Sequence, residues 1–362
     1  MTEIGLPLDE LDTPVLWVDV EQLDQNIAIL AEHFQRAGVQ WRPHTKGIKA
    51  PVIAHKLVKA GAIGVTCAKL GEAEVMAAAG VEDILIANQV VGKHKIQRLV
   101  NLCRWADVKI AVDSTATLTD LSRAAQEKGV EVGVLIEIDS GMKRAGVQPG
   151  KPVVALARTI VDLPGLRFDG LMSWEGHSLS APSPEERRAE AARSIALLTE
   201  SADLCRSAGI AVRIVSCGGS GTLDVTPMLP GITEVQAGGA VFNDVTYAKW
   251  QVPTQPAIFV RCTVTSRPAL NRIIVDGGFK TMPAWLNQPR PLGIDHVEKV
   301  ATSAEHGIVT LSAPNHDVKV GDGCDFLLGY GDATVFLHDA IYAVRNGIVE
   351  AIWRVEARGR LR

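Results

Sequence analysis

The chain has 362 residues, with 37 Lys+Arg against 41 Asp+Glu and a formal net charge of -4. At roughly 150 residues per domain, that length predicts two domains or one large barrel with an appendage. With 47% hydrophobic residues, no basic excess and no apolar run of about eighteen residues, the composition excludes a disordered chain, a nucleic-acid binder and a membrane span. Aromatic residues reach only 5%, so the apolar weight lies in Ala, Val, Leu and Ile, as suits helices packed on a buried parallel sheet. Met1 to Glu10 is acidic rather than cationic-then-apolar; it reads as no leader, and a cytoplasmic location is expected. Six scattered cysteines form no C-x-x-C pair and read as free thiols rather than zinc ligands.

In chain order, a first strand at Pro14–Val20 and a helix over Glu21–Ala37 open the pattern. Eight β-branched runs then follow, near Val39–Arg42, Ala62–Thr66, Asp83–Ala87, Asp107–Val112, Glu131–Ile138, Arg167–Met172, Ala211–Ser216 and Thr233–Gln236. Helical patterns such as Gly71–Ala79, Lys93–Cys103, Ala116–Lys128 and Pro184–Ala208 separate most of them. Eight strands, each feeding a crossover, predict a (β/α)8 TIM-type barrel over residues 12–250. An open doubly wound sheet is disfavoured, because no G-x-G-x-x-G follows the first strand. From 251 to 362 the helical period stops. Ile258–Thr265, Arg272–Asp276, Asp325–Leu328, Thr334–Leu337 and Ile341–Arg345 read as an appended antiparallel β domain, against which residues 1–19 are placed.

Reactive groups in such barrels sit at the C-terminal ends of strands, and phosphate sites favour the last two loops. Strand seven ends in Ser216-Cys-Gly-Gly-Ser-Gly-Thr222 and strand eight in Gln236-Ala-Gly-Gly239. Both are suited to backbone contact with an anion, with hydroxyls from Ser220 and Thr222. Lys46, in Arg42-Pro-His-Thr-Lys46, lies at the end of the first barrel strand, placed to form a Schiff base with a phosphorylated aldehyde cofactor. Burial in the barrel mouth is expected to favour its neutral amine. Lys49 is placed inside the next helix. His44 stays open between core residue, orienting group and proton carrier. Arg144 lies in the loop after strand five; a guanidinium keeps its proton, so facing it a pyridine nitrogen stays unprotonated. Strand six ends in Ser173-Trp-Glu-Gly-His177, which supplies an aromatic wall, an acid and an imidazole.

The ordered set of Arg42-Pro-His-Thr-Lys46, Arg144-Ala-Gly146, Cys217-Gly-Gly-Ser-Gly-Thr222, Glu234-Val-Gln-Ala-Gly238, Glu305-His-Gly307 and Leu337-His-Asp339 resembles the D-threonine aldolase and D-serine dehydratase family of fold-type III pyridoxal phosphate enzymes. The resemblance implies an alanine-racemase-like barrel with a C-terminal β domain, a homodimer, and pyridoxal 5'-phosphate bound through Lys46. Cofactor contacts would come from Arg144, Trp174, Gly219, Ser220, Gly221, Thr222, Gln236, Gly238 and Gly239. Trp174 stands where better-known members carry tyrosine. The implied activity is that of a lyase on D-3-hydroxy amino acids, with retro-aldol cleavage to glycine and an aldehyde as the first reading. His44, His177 and Tyr330 are its acid–base candidates, with Glu175 beside His177. A D-serine or D-3-hydroxyaspartate dehydratase, a metal-independent racemase and a non-catalytic pyridoxal-phosphate-binding protein are the alternatives.

The resemblance also implies a divalent ion (Mg, Mn or Zn) on a His-x-Asp or His-x-Cys pair. Here the stretch reads Gly329-Tyr330-Gly-Asp332, so the aspartate position matches and the histidine position does not. A neutral phenol is a poor ligand beside imidazole. Two readings stand: Asp332 alone joins an ion through waters, or the site holds none and Tyr330 is itself an acid, base or hydrogen-bond donor.

Overall fold

The computed structural model describes residues 3–362. Met1 and Thr2, which fall within the stretch read as no leader and within the 1–19 segment, lie outside the described residues. Contacts divide the chain into two units. One collects the chain up to Leu30, Gly47–Val52 and Gly239–Arg358; the other collects Ala31–Lys46, Ile53–Gly238 and Gly359–Arg362.

The chain begins with β1 (Val15–Asp19), α1 (Val20–Ala37), β2 (Gln40–Trp41), α2 (Pro51–Lys59), β3 (Val65–Cys67), α3 (Leu70–Ala78), β4 (Asp83–Gln89) and α4 (Lys93–Leu102). It continues through β5 (Asp107–Val112), α5 (Leu118–Lys128), β6 (Val132–Glu137), α6 (Lys151–Val161), β7 (Leu166–Met172), α7 (Pro184–Ser207), β8 (Ile214–Cys217), β9 (Glu234–Val235) and α8 (Val245–Lys249). The parallel sheet runs β2-β9-β8-β7-β6-β5-β4-β3. A parallel bridge between His44 and Thr66, with Ile63 N–H donating to Trp41 O at 2.9 Å, joins its two edges. The expected eight-stranded barrel is thereby closed. Every residue of β6 is buried, as a parallel strand covered on both faces requires. Helix α7 starts where its sequence says it should: Ser183 Oγ accepts from Glu186 N–H at 3.2 Å, Pro184 occupies the first turn, and Glu185 and Glu186 face the positive end of the helix dipole.

Charge fills part of the barrel interior. Arg42, 1% exposed, donates through Nε to both Glu234 oxygens at 3.0 and 3.1 Å, and through Nη1 to Asp83. Lys109 Nζ lies 2.8 Å from Asp83 and 2.7 Å from Asp107, and Arg167 ties Asp107 to Asp169. These pairs link the residue after β2 to β4, β5, β7 and β9.

The other unit holds β10 (Ile258–Ala269), β11 (Arg272–Val275), β12 (Arg290–Pro291), β13 (Val297–Thr302), β14 (Gly307–Leu311), β15 (Gly323–Leu327), α9 (Gly331–Thr334), β16 (Ala340–Arg345) and β17 (Ile348–Arg354). Its sheet runs β13-β14-β11-β10-β1-β16-β17, with β15 pairing β10 and β12. Within it β1 is antiparallel to β10 and parallel to β16. Trp17 stacks on Phe259 with ring centroids 4.7 Å apart, and its Nε1–H donates to Asp325 at 2.9 Å.

Two local expectations fail. Thr334–Leu337, expected as a strand, is helical: it comprises the end of α9 and a 3-10 turn over Val335–Leu337. A run of four residues is too short for periodicity to separate strand from helix, and Thr334 Oγ1 donates to Tyr330 O at 3.0 Å, binding the segment back on itself. Lys49 is not inside the following helix. It precedes α2 with φ 53°, a left-handed conformation that α-helix excludes. All six cysteines are free thiols, and five are buried. Among the described residues no helix is long and apolar enough to cross a membrane.

Candidate active site

Lys46 sits in a 3-10 turn, Thr45–Gly47, directly beyond the closing bridge of the barrel. The turn is held from both sides. Lys46 N–H donates to His44 Nδ1 at 3.3 Å, and Thr45 Oγ1 donates to Glu72 Oε1 at 2.9 Å. Glu72 is fully buried at the start of α3, where its second oxygen accepts from Ala68 N–H at 2.8 Å. Lys46 itself is exposed, contrary to the expected burial, because the turn lifts it off the end of β2. His44 Nδ1 is the acceptor in this cap, which makes His44 an orienting group for the lysine turn.

The loop after β8 is built around a carboxylate. Glu175, 0% exposed, accepts Thr222 Oγ1 at 2.8 Å, Thr226 Oγ1 at 2.6 Å and Gly218 N–H at 3.2 Å. Thr222 Oγ1 in turn accepts Gly219 N–H at 3.2 Å. The Thr222 hydroxyl therefore shapes the turn Ser220–Thr222 instead of pointing a donor outward. Glu175, with both oxygens occupied, is not the proton carrier the sequence offered. Trp174 packs against this turn: a Cβ on Gly219 would come 2.5 Å from its ring, so only glycine admits the indole. Gln236 Nε2 donates to Ser216 Oγ at 2.8 Å, tying the ends of β8 and β9 together. Gly238 packs against the backbone of His44, where a Cβ would meet the His44 carbonyl oxygen at 2.0 Å.

Arg144 stands in a loop knotted by Asp139, whose Oδ1 accepts from Gly141 and Lys143 N–H at 3.1 and 2.9 Å. Its Nη2 lies 3.4 Å from Glu137 Oε1 at the end of β6, while Glu137 Oε2 accepts from Gln89 Nε2 at 2.6 Å. His177 is gripped by α7. Its Nε2 is 3.0 Å from Glu190 Oε1 and 3.2 Å from Ser194 Oγ, and its buried Nδ1 has no hydrogen-bond partner. Arg193 and His177 together hold the Glu190 carboxyl below its ordinary value. A carboxylate on Nε2–H fixes the tautomer that leaves Nδ1 as the basic nitrogen.

In the other unit, Tyr330 is buried and its hydroxyl donates to Asp332 Oδ2 at 2.9 Å. Burial first, then the Asp332 charge, push this phenol well above its ordinary range. Asp332 Oδ1 lies over Gly47, where a Cβ would be 2.1 Å away; Gly239 likewise meets the Tyr247 hydroxyl, at 2.1 Å from a Cβ. Asp244, fully buried, accepts Gly331 N–H at 2.6 Å and Tyr247 N–H at 2.9 Å.

The barrel unit thus assembles Lys46, His44, Arg144, Trp174, His177, the turn Gly219–Thr222, Gln236 and Gly238 on its strand ends. Tyr330, Asp332 and Gly239 belong to the other unit, with Tyr247 and Asp244. Sequence reasoning passed over Glu72, Gln89, Glu190, Asp244 and Tyr247. Only Asp244 carried a readable signal, as a helix N-cap of α8. The barrel residues fit pyridoxal phosphate: a rim amine, a glycine turn shaped by its own carboxylate, an oriented guanidinium, and a buried Ser173 hydroxyl at the end of β7 with no partner. The 330–332 donor set does not fit a divalent ion, since the one carboxylate already accepts a phenol that keeps its proton. Among the described residues no three His, Cys, Asp or Glu side chains converge as ion ligands.

Comparison with known proteins shows the family. Residues 18–245 match the family described as alanine racemase, N-terminal domain, and residues 257–344 match the putative serine dehydratase domain. The D-threonine aldolase of an Arthrobacter species is 36% identical over 360 residues, 98% of this chain and 95% of that protein. The 3-hydroxy-D-aspartate aldolase of Paracoccus denitrificans is 33% identical over 98% of this chain and 94% of its own. The crystal structure of D-threonine aldolase from Filomicrobium marinum superposes with a TM-score of 0.96 at 34% identity, covering 100% of both chains.

Proposed function

The chain belongs to the D-threonine aldolase and serine dehydratase-like family built on the alanine racemase N-terminal domain, and on that premise we propose that it is a pyridoxal-phosphate lyase cleaving D-3-hydroxy amino acids to glycine and an aldehyde. The observation that carries this reading is the turn of Lys46, capped by His44 and locked by Thr45 to the buried Glu72 on a closed barrel. A bound cofactor supplies an electron sink for the carbon–carbon bond that breaks.

The protein's own groups supply the rest. Lys46 would hold the cofactor through its aldehyde, and the Gly219–Thr222 turn and the Gly238–Gly239 loop would hold its phosphate. Arg144, 3.4 Å from Glu137, would face the ring nitrogen, and because a guanidinium keeps its proton the sink would be moderate. A moderate sink suits cleavage of one activated bond over deep delocalisation of charge. Trp174 walls the turn, and His177 moves protons through Nδ1. The enzyme works as a homodimer in the cytoplasm; the exposed Phe279, Trp285, Leu286 and Phe336 support an apolar partner face.

The test is product identity. Incubation with D-threonine and D-3-hydroxyaspartate is expected to give glycine with an aldehyde. Keto acid and ammonia would establish a dehydratase instead, and the L-enantiomer a racemase.

A further inference from the structure

The barrel unit carries a cationic cavity on its rim, between the ends of β3 and β4 and away from the Gly219–Thr222 turn. Lys69, Lys95 and Arg362 line it, together with the amide side chains of Asn88 and Gln89, and all five belong to the barrel unit. Among the described residues no acid lines the cavity, and the two ammonium groups and the Arg362 guanidinium have no ion-pair partner. The neighbouring acids are engaged elsewhere. Glu74 accepts Arg98 Nε and Nη2 at 2.8 and 2.6 Å, Glu72 accepts Ala68 N–H and Thr45 Oγ1, and Glu137 accepts Gln89 Nε2. Arg362 O is taken too, by Gly71 N–H and Arg98 Nη2, each at 3.0 Å.

The walls are fixed. Asn88 Nδ2 donates to Ala68 O at 3.0 Å, and Asn88 Oδ1 accepts Gln89 N–H at 3.0 Å. Gly71 admits the chain at Arg362, since a Cβ there would come 2.5 Å from Arg362 O. A lone surface lysine is simply solvated. Three cations converging on one cavity repel each other and focus a positive potential that an anion relieves. The cavity holds about 20 Å³, little more than one water, so the head of one small group enters and a nucleotide does not.

We infer that this cavity binds one small oxyanion group, a carboxylate or a phosphate, with Lys69, Lys95 and Arg362 as its counter-charges. Two sources share that chemistry: free phosphate, and the distal carboxylate of a substrate such as D-3-hydroxyaspartate. The second source rests on the lyase reading above; the first does not. Both walls lead to the groups assigned to the cofactor. Lys69 follows Ala68, which is held by Glu72, and Glu72 holds Thr45 beside Lys46. Opposite, Gln89 holds Glu137, which lies 3.4 Å from Arg144.

The test uses the holoenzyme after borohydride reduction, so that the cofactor's own phosphate site stays filled. Titration calorimetry with inorganic phosphate, at constant ionic strength in chloride, is expected to find one phosphate per chain. Lys69→Ala and Lys95→Ala should each weaken it about tenfold, the share of one charged hydrogen bond. Lys93→Ala, whose lysine lines a different cavity between α4 and α5, should leave it unchanged. The unreduced holoenzyme then identifies the source. A tenfold rise in KM for D-3-hydroxyaspartate in Lys69→Ala and Lys95→Ala, with KM for D-threonine unmoved, assigns the cavity to the substrate's distal carboxylate, whether or not phosphate binds. Phosphate binding lost in the two variants with both KM values unmoved assigns it to a free anion. The inference is overturned if neither variant changes phosphate affinity or KM for D-3-hydroxyaspartate, or if Lys93→Ala weakens phosphate equally. Absence of aldehyde from every D-3-hydroxy amino acid sinks the lyase reading alone, and the phosphate titration then decides this one.

Discussion

Glu175 accepts the Thr222 hydroxyl at 2.8 Å, so a buried carboxylate, not a cation, shapes the loop that is to receive a phosphate. The same side chain holds Gly218 N–H and Thr226, which fixes the backbone of the turn before any ligand arrives. Glu175→Gln replaces an acceptor with an amide N–H₂ that must face a donor. A loss of roughly 1.5–3 kcal/mol in stability is expected from the broken charged hydrogen bonds. Cofactor retention in equilibrium dialysis should weaken about tenfold, in line with 1.4 kcal/mol per decade. Wild-type retention would remove Glu175 from the account.

His177 and Glu190 make a second testable pair, 3.0 Å apart. Removing the imidazole in His177→Ala should cost about 10²- to 10⁴-fold in kcat. Glu190→Gln keeps the shape and loses the charge that fixes the tautomer. It should lower kcat less than His177→Ala and shift the pH optimum, and a double variant should be no worse than His177→Ala alone. Additive losses in the double variant would show that the two residues act separately.

The barrel interior rests on Arg42, whose guanidinium meets Glu234 and Asp83. Desolvation opposes its charge, and the two carboxylates more than restore it, so its pKa is raised. Arg42→Met strands the buried Glu234 beside an apolar chain, while Asp83 keeps Lys109, and should cost about 3–5 kcal/mol in urea unfolding. Arg42→Met with Glu234→Gln should recover part of that loss. Equal losses in the single and double variants would mean that packing alone is felt.

Asp244 sets a pH dependence. Burial raises its pKa to about 7, against the backbone donors of Gly331 and Tyr247, which lower it. The unfolded carboxyl titrates near 3.9, so between roughly pH 4 and 7 the folded chain binds the extra proton and stability falls as pH rises. Asp244→Asn cannot ionise. The wild type should therefore lose stability relative to that variant across this window in chemical denaturation, and a constant difference between the two would contradict the assignment.

Much of this was readable before folding. The eight barrel strands stand out because each is a β-branched run bounded by turn residues, and Lys46 and the two glycine loops follow from the rule that chemistry gathers at strand ends. What stayed hidden was partnership. Nothing near Glu72 in the sequence points to Thr45, and nothing near Gln89 points to Glu137, 48 positions away. Thr222 looked like a phosphate donor because a hydroxyl in a glycine loop is one wherever no carboxylate claims it. Lys46 was expected buried because strand ends lie in the mouth, but a 3-10 turn of three residues carries it outward. Thr334–Leu337 misled for the opposite reason: its β-branched residues suit a strand, and one side-chain bond to Tyr330 O outweighed that preference.

One measurement tests directly whether Lys46 carries the cofactor. The protein is loaded with pyridoxal phosphate, reduced with borohydride, digested and mapped by mass spectrometry. A single phosphopyridoxyl modification on Lys46, absent in Lys46→Ala, is expected. Modification at Lys49 or another lysine with Lys46 unmodified, or no stable modification at all, would contradict it.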